Sequence, residues 1–492
     1  MIKNYALLLL VLWISGSVFA QDIHPCGTGD YRSEWFDHYH DHKELYRTNS
    51  DDTLYLPVQI HVVGTDEGGG YFPPKSVIES FCKLNEDFTH SNIQFYMSDE
   101  WNYINNSNYY DHNFQQGSQM MAQNNVSNTI NCYIVLSPAG NCGYYLPGRD
   151  GIALNKGCLG LYSSTWAHEM GHFLSLPHPF VGWEGEDDVD YNEPAPNFVN
   201  GREVERVDGS NCDDAADRFC DTSPDYLSFR WNCNMNDSSN VLQTDPNGDT
   251  FRSDGSLIMS YSNNACAKRF SDEQIDAMRA NIQFQRPNLI ASAFIPQLIT
   301  SDASLEIIES PALDEMVSTF DEVTLDWEDV PNASNYLVQV SRIPVFTLLL
   351  EEYVVSSSEV TLDNLEEDRP YWWRVKPFNA YESCVEFIDS STFSTGTISN
   401  ISILEQATAL KVFPNPVTQG GAWQVSLQLS RADRVGIRLF AIDGRLVFSD
   451  EQQLGSGRQE FTVSSQALSD GMYILELNLP KGRLHRKLNV TR

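Results

Sequence analysis

The stretch HEMGHFLSLPH, residues 168–178, constrains the fold more than any other part of the chain. Ser164 and Thr165 just before it are suitable helix caps. Apolar residues recur at helical spacing through this stretch: Trp166, Met170, Phe173 and Leu174. Pro177 cannot continue a helix, so the chain must turn after about Leu174. The sequence therefore predicts a short helix that packs with one side and ends abruptly.

The other side of this helix carries His168 and His172, four residues apart. Imidazoles at that spacing can both reach one zinc ion. His178, beyond the turn, can return as a third ligand and leave one coordination position open, as a catalytic site requires. Glu169 is then placed to accept a proton from zinc-activated water and to return it to the leaving amine. The alternative is a pair of solvated helix histidines, which the position of His178 disfavours.

The N-terminus has the composition of a secretory signal peptide, residues 1–20, which end in Val18-Phe19-Ala20. A membrane anchor is the alternative, but the apolar run is too short to cross a bilayer, and no later segment approaches about 20 apolar residues. The formal net charge is −35, from 67 acidic and 32 basic residues. That charge repels nucleic acid and anionic membrane surfaces. We therefore expect an exported protein with no membrane span and no nucleic-acid partner.

Eight of the ten cysteines lie between Cys82 and Cys266, whereas Cys26 and Cys384 stand apart. In an exported protein this distribution predicts disulfides for most of the eight. The chain has no CxxC pair, which argues against a structural zinc–cysteine site. The pairing cannot be deduced from the spacing.

Strands and helices alternate in the first half of the chain. Strands are predicted at 54–64, 92–97, 130–137 and 151–155, and a helix at 74–88. After about residue 300, apolar and polar residues alternate between turn-forming clusters, which is typical of β-sandwiches. Five segments are predicted: a signal peptide at 1–20, a pro-segment at 21–50, a catalytic domain at 51–295, and β-domains at 303–397 and 408–492.

Both β-domains resemble known families. Trp327 and the strand at 371–375 make residues 303–397 similar to a fibronectin type III domain. The final domain contains FPNP near its start, DGMY near its end and a basic last strand, and it resembles the C-terminal sorting domain of the type IX secretion system. That resemblance implies a bacterium of the Bacteroidota, contact with the secretion machinery, and release or attachment at the outer cell surface.

The histidine motif is followed by Met259 in SLIMSYSNNAC, and CDTSP stands at 220–224. Together these motifs resemble the metzincin metalloproteases of the pappalysin and cytophagalysin branch. The resemblance implies an α/β (α+β) metzincin-type catalytic domain with a mixed sheet and an active-site helix, followed by two small all-β sandwich domains. It also implies that Met259 forms a hydrophobic floor beneath the metal and that Tyr261 stabilises the tetrahedral intermediate. The alternative for Tyr261 is a core tyrosine.

Two details of the resemblance concern single positions. Ser175 stands where the family has glycine, and a left-handed backbone there costs serine about 1–2 kcal/mol. Cys26 lies in a CGT context similar to that of the family's pro-segment cysteine. As a zinc-binding thiolate it would make the chain a zymogen; the alternative, a disulfide, stays open.

Acidic runs at 184–190, 211–225 and 245–249 are candidate calcium loops. Their alternative is a solvated surface. The loop Ser262 to Ala265, which in metzincins helps to line the pocket for the residue after the cut, carries no charge. It therefore leaves the bond preference open.

The sequence thus predicts a secreted zinc endopeptidase that acts on protein or peptide substrates. The rival hypothesis is a catalytically inactive surface adhesin that binds through its β-domains. Glu169 favours the first, because a binding protein has no need of a base beside two metal ligands.

Overall fold

The computed structural model describes residues 23–30, 32–47, 52–98, 101–186, 188–290, 297–299, 307–363, 365–387, 389–398, 407–429, 431–441, 445–479 and 482–491. The predicted signal peptide lies outside these residues. The chain divides into two compact units. The first extends to Thr300 and includes Pro331–Ser334 and Pro377–Glu386, and the second contains the remainder. The five predicted segment boundaries stay predictions.

The described residues of the first unit form six α-helices and a central sheet. Its described helices are α1 Glu34–Asp41, α2 Pro74–Asp87, α3 Ser107–Tyr110, α4 Phe114–Asn124, α5 Thr165–Phe173 and α6 Asp272–Ala280. Its described strands are β1 Leu54–Gly64, β2 Ile93–Met97, β3 Asn102–Asn105, β4 Asp111–His112, β5 Ile130–Val135, β6 Ser137–Pro138, β7 Gly143–Leu146, β8 Gly151–Asn155, β9 Phe198–Val199, β10 Arg202–Glu203, β11 Gln243–Thr244 and β12 Thr250–Phe251. The strand and helix positions predicted for residues 54–155 are confirmed, whereas β3, β7 and α4 were not foreseen.

The central sheet has the strand order β2-β1-β5-β8-β7, and β3 also pairs with β1. Its inner strands run parallel. Strands β5 and β8 are buried along their whole length, which explains why they are continuous apolar runs rather than alternating ones. Strand β7 pairs with β8 antiparallel and forms one edge. Helix α5 packs against β7 and β8, so this edge borders the histidine motif.

The predicted α/β class with a metzincin-type catalytic domain is wrong. Strands account for 38% of the described residues and helices for only 17%, which makes the architecture sheet-rich. Helix α5 has nine residues, and among the described residues from 174 to 271 the regular elements are the short strand pairs β9–β10 and β11–β12. That region is rich in Asp, Asn, Gly and Ser, which favour turns over helices because their side chains bond the local backbone.

The second unit contains strands without described helices. They are β13 Ile308–Ser310, β14 Glu315–Thr319, β15 Val323–Trp327, β16 Asn335–Ser341, β17 Leu349–Val355, β18 Glu359–Leu362, β19 Pro370–Phe378, β20 Asp389–Ile398, β21 Ala407–Phe413, β22 Val417–Thr418, β23 Ala422–Leu429, β24 Asp433–Ala441, β25 Leu446–Leu454, β26 Gly457–Ser464, β27 Gly471–Leu479 and β28 Gly482–Thr491. The last residues of β19, from Pro377, are grouped with the first unit.

These strands form two pairs of sheets. The first pair has the orders β13-β15-β18 and β14-β20-β19-β16-β17. Buried Trp327 of one sheet lies 6.1 Å from Trp373 and 5.3 Å from Tyr336 of the other, measured between ring centroids. The second pair has the orders β21-β23-β26 and β22-β28-β27-β24-β25, with Trp423 and Leu475 in its core. Alternation of apolar and polar residues therefore produced the sandwich packing that the sequence predicted for this region.

The segment Pro377–Glu386 is bound to the rest of the first unit by three kinds of contact. Cys384 forms a disulfide with Cys82 of α2. The amide of Met97 donates to the carbonyl of Ala380 at 2.9 Å. Tyr381 stacks on Tyr96 with a centroid distance of 4.7 Å.

Candidate metal centre

Helix α5 begins at Thr165 and is buried on every side. Trp166, Met170 and Phe173 pack into the hydrophobic core of the first unit, as the helical spacing predicted. The helix ends in a Schellman motif: Ser175 donates its amide to the His172 carbonyl and Leu176 donates to Gly171, both at 2.9 Å. Ser175 has a φ of 77°, so the predicted left-handed turn is confirmed.

The side chain of Ser175 supports this strained position. Its hydroxyl accepts a hydrogen bond from Asn281 Nδ2 at 2.8 Å. Glycine could not accept that bond, so the contact offsets part of the left-handed cost to serine. Because the chain reverses direction at this turn, His178 lies beside the helix.

The Nε2 atoms of three histidines converge at one point. His178 Nε2 lies 3.3 Å from His168 Nε2 and 3.0 Å from His172 Nε2. All three side chains are buried. The helix contributes two of them because residues i and i+4 share a face.

The opposite ring nitrogen of each histidine contacts an acceptor. His168 Nδ1 lies 2.8 Å from the Ile258 carbonyl, and His172 Nδ1 lies 2.8 Å from the Leu176 carbonyl. His178 Nδ1 lies 3.3 Å from Glu184 Oε1. A carbonyl can only accept, so His168 and His172 carry their proton on Nδ1, and an ionised Glu184 carboxylate favours the same tautomer of His178. In these tautomers the Nε2 lone pairs face one another. Lone pairs this close repel unless a cation lies among them.

This donor set fits zinc. Zinc–nitrogen bonds of about 2.0–2.1 Å in a tetrahedron place the nitrogens roughly 3.3 Å apart. The partners on Nδ1 fix the tautomer and the ring orientation, as at histidine metal sites in general. Burial lowers the pKa of His168 to about 4 and lowers those of His172 and His178 well below their usual range. The imidazoles therefore stay neutral, which is the form that binds metal.

Glu169 lies beside the three histidines with one oxygen lacking a partner. Its Oε2 accepts a hydrogen bond from the Thr28 hydroxyl at 3.2 Å, whereas its Oε1 has none and is buried. Burial raises the pKa of Glu169 to about 8. A side chain at Gly143 of β7 would place its Cβ 2.7 Å from Glu169 Oε1, so glycine there makes room for the carboxylate.

Cys26 lies at the same centre as a free, buried thiol. Its Sγ and the three histidine nitrogens all lie within 4.8 Å of one another. Sγ also lies 3.5 Å from Glu169 Oε2. Burial raises the pKa of this thiol, and the nearby Glu169 raises it further. The disulfide considered for Cys26 is thus not formed.

The segment around Cys26 pairs with the edge strand of the sheet. Gly27 donates its amide to the Gly143 carbonyl at 2.8 Å, and Cys142 donates to the His24 carbonyl at 2.8 Å. The Tyr145 amide donates to the Thr28 hydroxyl at 2.8 Å. The segment therefore occupies the edge that borders α5 and covers the histidine cluster.

Met259 and Tyr261 lie on two sides of the cluster. Met259 is fully buried, and a Cβ on Gly171 would lie only 2.3 Å from its sulfur. Met259 therefore packs directly against the helix, between the turns that carry the two histidines. The Tyr261 hydroxyl donates to the Cys26 carbonyl at 3.3 Å, and its ring centroid lies 5.0 Å from that of His178.

Sequence reasoning missed the partners of the histidine rings. Glu184 was assigned to a candidate calcium run, but its carboxylate contacts His178 and accepts the Gly182 amide at 2.8 Å. Ile258 lies 90 residues from His168, and its role is a backbone one. The Leu176 carbonyl was the one partner open to prediction, because the turn at Ser175 brings it back onto His172.

The described cysteines form four disulfides. The pairs are Cys82–Cys384, Cys142–Cys158, Cys212–Cys220 and Cys233–Cys266. The prediction that most of the eight grouped cysteines form disulfides is confirmed, and Cys132 is a buried free thiol. Cys384 stood apart in the sequence and yet pairs with one of the eight.

Residues 411–491 match the secretion system C-terminal sorting domain. This domain indicates export through the type IX secretion system of Bacteroidota-like bacteria and a secreted or cell-surface location. The predicted location and the predicted secretion machinery are confirmed. Within the described residues, the helices are too short or too polar to cross a membrane.

Among solved structures, the chain is similar to chicken CNTN1 FN1-FN3 domains, at 12% identity and a TM-score of 0.15. The match covers 36% of this chain and 64% of the length of that structure. At such a TM-score it supports no statement about fold or function. No curated protein matches the chain.

Proposed function

We propose that the protein is a secreted zinc-dependent endopeptidase. The observation that supports this most is the meeting of three imidazole lone pairs beside a buried carboxylate oxygen that has no partner. Zinc in this position supplies a Lewis acid that polarises a carbonyl and makes water acidic near neutral pH. The motifs resemble those of metzincin proteases, but the proposal depends on the site and not on a fold class.

Each residue of the site has its own role in the proposed reaction. His168, His172 and His178 hold the metal. Glu169 accepts a proton from water at its free oxygen and passes it to the leaving amine. The Tyr261 hydroxyl, which donates to the carbonyl of Cys26, would donate to the carbonyl of a substrate in the same place.

Cys26 makes the protein latent in this proposal. Its Sγ lies within 4.8 Å of the three histidine nitrogens and would bind a metal held by them, because a divalent cation favours the thiolate over the thiol. The segment from His24 to Thr28 also occupies the edge strand β7, where an extended peptide can pair by main-chain hydrogen bonds. Release of the segment would free the metal and the strand edge together.

Zinc removal tests this function. The full chain, activated by limited trypsin digestion followed by an irreversible trypsin inhibitor, is expected to cleave an unfolded protein substrate and to contain about one zinc per chain. The same chain before digestion should not cleave the substrate. The chelator 1,10-phenanthroline should abolish cleavage, and added zinc should restore it. Bound zinc without cleavage of several substrates would favour the rival, an adhesin that acts through its β-domains.

We also propose calcium as a structural cation, at a buried carboxylate pair of which Asp217 belongs to the acidic run 211–225 and Glu205 lies outside all three runs. Among the described residues, those runs bring no three carboxylates within 4.8 Å of one another. Glu205 and Asp217, however, are buried together, and Glu205 Oε2 has no partner. Burial raises the pKa of both carboxyls, and the charge of Asp217 raises that of Glu205 further. A cation beside them would remove that repulsion.

The variant Glu205→Gln separates the two possibilities. If calcium binds there, it should raise the melting temperature of the parent protein, and the variant should lose that response. If calcium does not bind, the parent should not respond, and the variant should be the more stable protein, because a buried carboxyl has been replaced by a neutral side chain of the same shape. Thermal unfolding with calcium and with a calcium chelator measures both.

A further inference from the structure

A pocket opens beside His168, on the side of the metal centre that faces the Tyr261 loop. Its walls include Pro25, Ile258, Ser260 and Tyr261 together with His168 itself. With Pro25 in place the free volume is about 20 Å³, which is room for roughly one water. Pro25 therefore forms one wall of a small pocket that borders the first of the three histidines.

Pro25 lines this pocket because of its position in the chain. It directly precedes Cys26, whose sulfur lies at the metal centre and whose carbonyl accepts the Tyr261 hydroxyl. A peptide whose scissile bond takes the place of Cys26 would put the side chain next to that bond into the Pro25 pocket. The pocket thus selects a residue that flanks the bond to be cut.

Arg230 also lines the pocket and brings a positive charge to its wall. Arg230 Nη2 donates to Asn264 Oδ1 at 2.9 Å, and within the described part of the chain no carboxylate oxygen lies within 4.0 Å of it. This is unusual in a chain with 67 acidic residues. Arg230 lies near enough to the metal centre that its charge lowers the pKa of His168, after the larger effect of burial.

We propose that this pocket selects peptides with Asp or Glu directly flanking the cleaved bond, a specificity that rests on the proposed peptidase function. A guanidinium presents two parallel N–H donors that match a carboxylate. Asn264 is neutral, so it leaves the positive charge of Arg230 uncompensated. The loop Ser262 to Ala265 carries no charge, and the selecting group comes instead from the loop that precedes Trp231.

Peptide cleavage by the activated full chain tests the proposal. The substrates are quenched fluorescent peptides that differ at one residue, Glu, Gln, Leu or Lys, placed on either side of a fixed bond. The Glu peptide should exceed its Gln partner in kcat/KM by on the order of tenfold, the gain expected of a charge-assisted hydrogen bond. Arg230→Ala should remove the difference, and Arg230→Glu should transfer the preference to Lys. Arg149→Ala, which removes a guanidinium bonded to neutral Ser118, is the matched control.

The outcomes separate the two proposals. Cleavage of these peptides with equal kcat/KM for Glu and Gln, or with a Glu preference that survives Arg230→Ala, would overturn the specificity and leave the peptidase intact. If the activated chain cleaves neither the peptides nor an unfolded protein, the peptidase function itself is wrong and the specificity falls with it. A Glu preference that is lost in Arg230→Ala and kept in Arg149→Ala establishes the proposal.

Discussion

The Glu169→Gln variant is expected to lose between about 10² and 10⁴ in kcat/KM while it binds zinc as well as the parent protein. Glutamine has the same shape, and in the latent chain its carbonyl oxygen can still accept the Thr28 hydroxyl that Glu169 accepts at 3.2 Å. It cannot take a proton from water, however. The loss should therefore appear in turnover and not in metal content or folding.

The measurement compares zinc content and thermal unfolding of the two proteins, and their cleavage of an unfolded protein after the same trypsin activation. Glu79→Gln is a suitable control, since it removes a carboxylate of α2 that pairs with Lys75 far along the chain from the motif. A Glu169→Gln variant that retains activity within about tenfold of the parent would exclude Glu169 as the general base. The proton would then need another acceptor.

Local geometry explains what the sequence could predict of this centre. The relation between His168 and His172 follows from helix periodicity alone. The left-handed turn at Ser175 was expected from the resemblance to a family that has glycine at this position. Contacts between a site residue and a backbone group that is distant in sequence could not be predicted in the same way. The Ile258 carbonyl that orients His168 leaves no signature in the identity of residue 258, because any residue supplies a carbonyl.

Fold class was predicted less well than the local elements. The strands and the helix between residues 54 and 155 follow their apolar periodicities, but periodicity does not reveal how much of the chain between the motifs stays irregular. Residues 174 to 271 supply the Glu184, Ile258 and Tyr261 contacts almost entirely from turns and short strand pairs. Disulfides Cys212–Cys220 and Cys233–Cys266 cross-link this largely irregular region.

Removal of the Cys82–Cys384 disulfide is expected to lower the free energy of unfolding of the first unit by about 3–5 kcal/mol. The two cysteines are 302 residues apart in sequence, so the bond removes much conformational entropy from the unfolded chain. The same segment also makes non-covalent contacts: Tyr381 stacks on Tyr96, and the Ala380 carbonyl accepts the Met97 amide. They cannot replace a covalent link.

The double variant Cys82→Ser, Cys384→Ser measures this effect against Cys142→Ser, Cys158→Ser, whose bond spans 16 residues and should contribute about 3 kcal/mol. Hydrogen exchange of the β1 amides in increasing guanidinium reports the stability of the first unit. If loop closure governs the effect, the long-range variant loses more than the short-range one. An equal or smaller loss of unfolding free energy would show that the non-covalent contacts of Pro377–Glu386 already hold the segment in place. The disulfide would then add little stability of its own.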